Sequence, residues 1–209
     1  MDNPAFWSAK RQAAAIKAGE LGSRELLELY IDRIEQINPD INAVITTDFK
    51  TARRVADQAD KVITAGEPVG PLHGLPVTIK DAIETKGLCS TGGAIELASY
   101  IPESDAPVVN SVRRAGANII GKTNLPRWSG DIQAYNEIYG TTSNPWNLDH
   151  VPGGSSGGAA AAVACGLTSF EIGTDIGGSI RFPSAFCGVF GHKPSFGIVP
   201  STGYLDHAL

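Results

Sequence analysis

Cysteine, histidine and methionine are scarce in this sequence of 209 residues, which contains three, four and one of them. The cysteines, Cys89, Cys165 and Cys187, form an odd and widely spaced set without a CxxC pair. This spacing is typical of neither a disulfide framework nor a zinc site, so we expect no structural metal. Small free thiols fit a reducing compartment, which predicts a cytoplasmic location.

An excess of positive charge and a long apolar run are also missing. The net charge is −5 and the pI about 5.3, and lysine and arginine are scattered along the chain. This balance argues against nucleic acid or an anionic membrane surface as the partner. The longest apolar run, residues 159–170, is too short to span a bilayer, and residues 1–20 contain no apolar segment of the signal-peptide kind.

What is present is an ordinary globular composition, 42% hydrophobic and 19% charged. Near residue 67 the pattern changes: glycine and proline become frequent, and short apolar runs alternate with helical ones. Before that point, apolar spacing predicts helices at 6–17, 23–37 and 49–64 and a strand at 43–47, with Ser23 as an N-cap and Asn38-Pro39 as a stop. After it, predicted strands at 75–79, 118–120 and 170–173 alternate with predicted helices at 106–115 and 157–165. This order predicts a single α/β domain: a mixed β-sheet core flanked by helices, about residues 67–209, preceded by an N-terminal helical region, about residues 1–66.

Residues 116–123, GANIIGKT, match the phosphate-binding pattern G-x-x-x-x-G-K-[ST]. That loop must follow a strand and open a helix, so that backbone N–H groups cradle phosphate. Here Ile119-Ile120 favours a strand inside the motif, and Leu125-Pro126 opposes a helix that starts at Lys122. We therefore expect no nucleotide to bind at this segment.

A second pattern, G-x-S-x-G, occurs twice within residues 153–158. In α/β-hydrolases its serine directly follows a buried strand, whereas residues 147–152 are polar and contain a proline. A Ser-His-Asp site there would use His192 or His207 as its base, and chain order alone leaves that alternative open.

Two clusters of glycine and serine, residues 153–158 and 173–181, are separated by one predicted helix and one predicted strand, so both loops can meet at one end of a sheet. Glycine lets the backbone approach a ligand closely. Consecutive N–H groups of residues 176–179 can then converge on one oxygen beside the Ser179 hydroxyl. Two ordinary loops would have the same composition, and that interpretation also stays open.

A serine nucleophile needs a base. Lys80 follows the predicted strand 75–79, at the strand end where the sites of α/β proteins gather. A lysine acts as a base only when it is neutral, which requires burial to lower its pKa far below about 10.4. Spacing alone does not favour Lys80 over Lys122 or Lys193, nor over a solvated lysine at a strand end.

These segments resemble the amidase signature family, most specifically over residues 73–203. The resemblance is carried by residues 74–87 (GLPVTIKDAIETKG), 105–123 (ending GANIIGKT), 144–158 (NPWNLDHVPGGSSGG), 173–183 (GTDIGGSIRFP) and 187–194 (CGVFGHKP). It implies the fold of that family and a Ser-Ser-Lys amidase with an acyl-enzyme intermediate: Ser179 as nucleophile, Ser155 as relay and Lys80 as base. It also accounts for the phosphate-loop match, because the family carries GKT at this position.

The resemblance implies further roles for the two loops. The backbone N–H groups of Ile176, Gly177, Gly178 and Ser179 are expected to form the oxyanion hole, and Gly154, Ser156, Asp175 and Arg181 to support the loops. Ser155 is expected to follow a cis peptide bond. The resemblance implies no cofactor and no metal, a small-molecule amide as substrate, and, since family members are often dimers, a homodimer as one expectation.

Members of the family are considerably longer than this chain, so the resemblance implies an N-terminal fragment that lacks the C-terminal part of the fold. Two alternatives to a general amidase remain: the glutaminase (A) subunit of a tRNA-dependent amidotransferase, with partner subunits, and a truncated, catalytically inactive chain. The loop GTDIGGSIR and residues 127–131 (RWSGD) look more like the general amidases, because the amidotransferase protein is expected to carry serine before the aspartate.

Overall fold

A computed structural model describes residues 3–205 of the chain. The helices of this part are α1 (Ala9–Ala18), α2 (Ser23–Ile41), α3 (Phe49–Thr64), α4 (Pro107–Arg114), α5 (Gly157–Ala164) and α6 (Arg181–Cys187). The strands are β1 (Val44–Thr47), β2 (Pro76–Lys80), β3 (Asn118–Thr123), β4 (Tyr135–Asn136), β5 (Gly140–Thr141) and β6 (Glu171–Ile172). The predicted α/β class is therefore confirmed.

The main sheet has the strand order β1-β3-β2-β6. The central strand β2 runs parallel to both β3 and β6, and β1 runs antiparallel to β3, so the sheet is mixed as predicted. All five residues of β2 are buried, because α2 and α5 both pack against this strand. The carboxyl end of β2, where Lys80 lies, is thereby enclosed by protein.

The register of the sheet sorts the polar residues of these strands onto two faces. Side chains alternate along a strand, so Lys80 and Thr78 lie on one face of β2 and Ile79 on the other. Lys80 pairs with Thr123 of β3, and Thr78 pairs with Glu171 of β6, which places those partners on the Lys80 face. Ile79 pairs with Lys122, which lies on the opposite face.

Helix α2 departs from its prediction at both ends. The predicted stop at Asn38-Pro39 is wrong, because the helix continues to Ile41 with Pro39 inside it. Asn38 instead bonds to β1, accepting from the N–H of Ala43 and of Val44, and so ties the end of the helix to the sheet. Ser23 is the first helical residue rather than the cap.

The first predicted helix also begins later than expected. A short 3-10 turn (Pro4–Phe6) comes first, and α1 starts only at Ala9, where the Ser8 hydroxyl caps it by accepting from the N–H of Arg11. The prediction at 49–64 matches α3 at both ends. α6 and the β4–β5 hairpin were not predicted, because neither segment has a clear apolar period. No helix within residues 3–205 is both long and apolar enough to cross a membrane.

Candidate active site

Lys80, the last residue of β2, is fully buried. Its Nζ donates to Oγ of Ser155 at 2.6 Å and to Oγ1 of Thr174 at 2.7 Å. Ser155 is also fully buried, so the amine and the hydroxyl meet away from bulk water. Burial of this kind disfavours the charged form of an amine, and a neutral amine in contact with a hydroxyl can accept its proton.

The loop that carries Ser155 is not preceded by a strand, and it enters α5 at Gly157. The peptide bond between Gly154 and Ser155 is cis, as the resemblance implied. Gly154 packs directly against neighbouring backbone, since a Cβ at this position would lie 2.6 Å from the N and O atoms of Gln133. Only glycine fits that approach.

Ser156 joins the two glycine-serine loops. Its Oγ accepts from the N–H of Thr174 at 3.2 Å and donates to the carbonyl of Thr174 at 3.1 Å. Its own N–H donates to the carbonyl of Ser179 at 3.0 Å. These bonds bring the backbone of Ser179 next to the Ser155–Ser156 segment.

Asp175 shapes the loop around Ser179. Its carboxylate accepts from the N–H groups of Gly178 (2.8 Å), Ile180 (3.0 Å) and Arg181 (3.3 Å), and from the Arg181 guanidinium (2.9 and 3.0 Å). Burial alone would raise the pKa of Asp175, but these hydrogen bonds outweigh it and hold the pKa at about 2. The loop is therefore closed around a carboxylate that stays ionised at all ordinary pH values.

One of the four N–H groups predicted to form the oxyanion hole, that of Gly178, already has an acceptor. This N–H donates to Asp175, so in this structure it is not free to donate to a substrate oxygen. Among the hydrogen bonds of the described residues, the N–H groups of Ile176, Gly177 and Ser179 have no acceptor. Three of the four predicted donors are therefore available, beside a half-buried Ser179.

The structure also distinguishes Lys80, Lys122 and Lys193 by their contacts, which sequence spacing could not do. Lys122 is fully buried, but its Nζ donates to the Ile83 carbonyl and to the hydroxyls of Thr85 and Ser90. Burial lowers the pKa of Lys122 to about 8. Lys193 lies at the surface and donates to the carbonyl of Pro194. Of the three, Lys80 is the one that reaches a serine of the glycine-serine loops.

Two polar groups near Lys80 were missed by sequence reasoning. Thr174 belongs to the GTD segment but gave no signal that it would contact the lysine. Glu171 lies in a two-residue strand, and its Oε1 accepts from the Thr123 hydroxyl at 2.5 Å. Burial raises the pKa of Glu171 to about 8. A charged residue inside an apolar strand pattern was the signal that could have singled it out.

The alternatives from the sequence find no support in this geometry. The GKT of the phosphate pattern lies inside β3 instead of opening a helix. His192 is exposed, and His207 lies outside the described residues. Within residues 3–205, no group of three histidine, cysteine or acidic side chains is arranged to hold a metal ion.

A cavity of about 410 Å³ lies between the segments 93–95 and 126–137. Its wall includes Arg127, Asp131 and Glu137, and Asp131 directly precedes the Ile132–Gln133 backbone against which Gly154 packs.

Comparison with known proteins gives a consistent family likeness. The sequence model of the family described as Amidase matches residues 25–209. The chain is 43% identical over 203 residues to the A subunit of the glutamyl-tRNA(Gln) amidotransferase of Carboxydothermus hydrogenoformans, covering 97% of this chain and 42% of that protein. It is similar to the structure of a peptide amidase from Stenotrophomonas maltophilia, with 37% identity, a TM-score of 0.90, and coverage of 94% of this chain and 42% of that one. A fatty acid amide hydrolase gives 30% identity, a TM-score of 0.92, and coverage of 97% and 36%.

Proposed function

Because this chain belongs to the amidase signature family, we propose that it carries the catalytic centre of an enzyme that cleaves amide bonds through an acyl-enzyme on Ser179. Ser155 relays the proton and Lys80 is the base. The observation that carries the proposal is the buried contact of 2.6 Å between Nζ of Lys80 and Oγ of Ser155. The chain spans 42% of the length of its relative from Carboxydothermus hydrogenoformans, so the activity of the whole protein belongs to this proposal as well.

In the proposed reaction, the neutral amine of Lys80 takes the proton of Ser155, and Ser155 takes the proton of Ser179. The Ser179 oxygen bonds to the amide carbon, and the carbonyl electron pair moves onto oxygen. Collapse of this intermediate breaks the C–N bond, and the Lys80 ammonium returns its proton through Ser155 to the leaving nitrogen. Water then attacks the acyl-enzyme by the same relay, which releases the acid and restores Ser179.

The loops supply the electrostatic part of the mechanism. The N–H groups of Ile176, Gly177 and Ser179 are the proposed donors to the oxyanion, and donors fixed in advance need no reorganisation at the moment of reaction. Asp175 fixes the conformation of the loop that carries these donors by accepting hydrogen bonds from the N–H groups of Gly178 and Ile180. No step of this mechanism requires a cofactor or a metal.

A second candidate is the glutamine-cleaving component of an amidotransferase, in which case the amide is glutamine and partner proteins receive the ammonia. The 43% identity to the amidotransferase component from Carboxydothermus hydrogenoformans supports this candidate. Thr174, which stands where serine is expected in such a component, supports a general amidase instead. Both candidates share the acyl-enzyme on Ser179, take a small-molecule amide, and fit a cytoplasmic protein; a homodimer belongs to the first of them.

The test is mass spectrometry of the chain after treatment with a serine-directed fluorophosphonate, with Ser179→Ala as the matched control. We expect one adduct, mapped to Ser179 and absent from the control. A folded chain without an adduct at Ser179 would contradict the proposal for these 209 residues and favour the inactive alternative. Ammonia release from L-glutamine, compared with amine release from an aryl amide, then separates the two candidates.

A further inference from the structure

A carboxyl group that the proposed reaction does not use lies on the same sheet face as Lys80. Glu171 of β6 and Thr123 of β3 flank β2, and the register places both side chains on the face of Lys80. The Thr123 hydroxyl donates to Oε1 of Glu171 at 2.5 Å. This hydrogen bond passes over the strand that carries Lys80, so the hydroxyl holds the carboxyl group over β2.

The surroundings of Glu171 leave it short of partners. Its second oxygen, Oε2, is buried and meets no hydrogen-bond partner among the described residues. The helix α5, which packs against β6, has no titratable side chain. The positive charges that act on Glu171 are those of Lys80 on β2 and Lys122 on β3. A buried carboxylate is stable only when a positive charge or hydrogen bonds compensate it.

Other ionisable groups near this face are engaged elsewhere. Asp81 follows Lys80, its Oδ2 accepts from the N–H and the hydroxyl of Thr91, and the positive charge that acts on it is that of Lys122. Asp175 is closed by its loop and by Arg181. Tyr30 of α2 accepts from the Gln12 amide. Glu171 is therefore the carboxyl group placed to act on Lys80.

This inference rests on the proposed function: we propose that Glu171 is a positioning residue whose buried carboxylate stabilises the ammonium that Lys80 becomes when the Ser155 proton reaches it. In that step an O–H bond of Ser155 breaks and an N–H bond forms at Lys80, so a buried neutral amine becomes a buried cation. Above the Glu171 pKa of about 8 this carboxyl group is an anion, and an anion on the same face lowers the free energy of that cation and makes Lys80 a stronger base. No proton passes through Glu171.

The test is a ¹³C NMR titration of the Lys80 side chain in wild type, Glu171→Gln and Glu67→Gln, with the resonance assigned by its loss in Lys80→Met. Glutamine keeps the size of the side chain and still accepts from Thr123, but it has no charge. In Glu171→Gln we expect Lys80 to lose its proton about one pH unit lower, the low end of the effect of a nearby opposite charge. Exposed Glu67 serves as the control, and its variant should titrate as wild type does.

An unchanged Lys80 titration in Glu171→Gln would overturn the inference. Thr123→Val provides a second variant, should Glu171→Gln fold poorly: without the hydroxyl the carboxyl group is less well held, so the shift should have the same sign and be smaller. Equal titration of Lys80 in wild type and Thr123→Val would then count against the inference.

Kinetics separates this inference from the proposed function. The rate of Ser179 labelling by the fluorophosphonate is measured against pH in the same variants. In Glu171→Gln we expect the rising limb to move to lower pH and the high-pH plateau to fall several-fold, because a weaker base is a poorer catalyst. A merely structural role would lower the rate by one factor at every pH. If wild type is not labelled at Ser179, the proposed function fails, whereas the NMR comparison still decides the role of Glu171.

Discussion

Two buried lysines lie at or next to the carboxyl ends of neighbouring strands of the same sheet and point to opposite faces of it. Lys80 on β2 donates to the hydroxyls of Ser155 and Thr174, which belong to two glycine-rich loops. Lys122 on β3 donates to a backbone carbonyl and to the hydroxyls of Thr85 and Ser90, all within the segment that follows β2. Both side chains are equally removed from water.

The difference between them lies in what their partners can do. In the proposed reaction Ser155 passes a proton onward, and the second loop brings the backbone of Ser179 next to its segment. The Ile83 carbonyl can only accept a hydrogen bond, and the hydroxyls of Thr85 and Ser90 lie in the same segment, outside the two glycine-rich loops. Lys122 therefore fixes the chain between β2 and α4. Neither burial of a lysine nor its contact with a hydroxyl therefore identifies a base; Lys80 is the proposed base because its serine partner lies next to the loop of the proposed nucleophile. The predictions that follow test this contrast, from the largest expected effect to the smallest.

Replacing Lys80 by methionine should remove the base while keeping the volume of the side chain. We expect the rate of Ser179 labelling to fall roughly 10²–10⁴-fold, the usual contribution of a general base. The free energy of unfolding should fall by about 1–2 kcal/mol, because removing a neutral amine costs two hydrogen bonds and no buried charge. Labelling kinetics and denaturant unfolding of the same preparation measure both effects.

Lys122→Met is the matched control and should show the reverse pattern. We expect a loss of about 2–3 kcal/mol in the free energy of unfolding, because the buried Ile83 carbonyl loses its donor and Asp81 loses a nearby positive charge. Labelling should stay within a few-fold of wild type wherever the chain is folded. Equal loss of labelling in the two variants would break the contrast between the two lysines.

The pH dependence of stability gives a second test of the burial of Lys122. Burial lowers its folded pKa to about 8 from the ordinary 10.5, so between these values the unfolded chain binds more protons than the folded one. Stability from this group therefore rises as pH increases from about 8 to 10.5. Denaturant unfolding across this range should show the gap between wild type and Lys122→Met widening with pH.

Thr174→Val tests the second partner of Lys80. The hydroxyl accepts from the amine at 2.7 Å, and without it the amine loses one of the two hydroxyl acceptors that orient it. We expect labelling to fall about tenfold, the equivalent of one hydrogen bond of roughly 1.4 kcal/mol. Thr174→Ser, which keeps a hydroxyl, should restore most of the rate, and exposed Thr64→Val should leave it unchanged. A valine variant that labels at the wild-type rate would show that Thr174 does not orient Lys80.

Much of the fold and part of the candidate site could be predicted from the sequence. α3 and the central strands could be located because the spacing of their apolar residues matches a helix or a strand. The end of α2 could not, because the helix continues past Pro39 where Asn38 bonds to β1, and apolar spacing does not reveal a contact between elements. Lys80 could not be chosen over Lys122 from spacing, since the choice depends on which face of the sheet each side chain takes. Glu171 and Thr174 were missed for the same reason: their importance lies in partners from other strands and loops.

Arg181→Gln should have the smallest effect of the set. The Asp175 carboxylate it contacts also accepts from the backbone N–H groups of Gly178 and Ile180, so the loop keeps much of its closure without the guanidinium. The folded pKa of Asp175, about 2, lies below the ordinary 3.8, so its stabilising contribution is complete above that ordinary value and is lost as pH falls toward 2. In Arg181→Gln the pKa of Asp175 should rise, so the midpoint of acid unfolding should move to a slightly higher pH, while labelling at pH 7 stays close to wild type. Asp175→Asn loses the charge that all these donors face and should label far more slowly. Acid unfolding followed by circular dichroism measures the shift, and an asparagine variant that labels as fast as Arg181→Gln would mean that the carboxylate does not hold the loop.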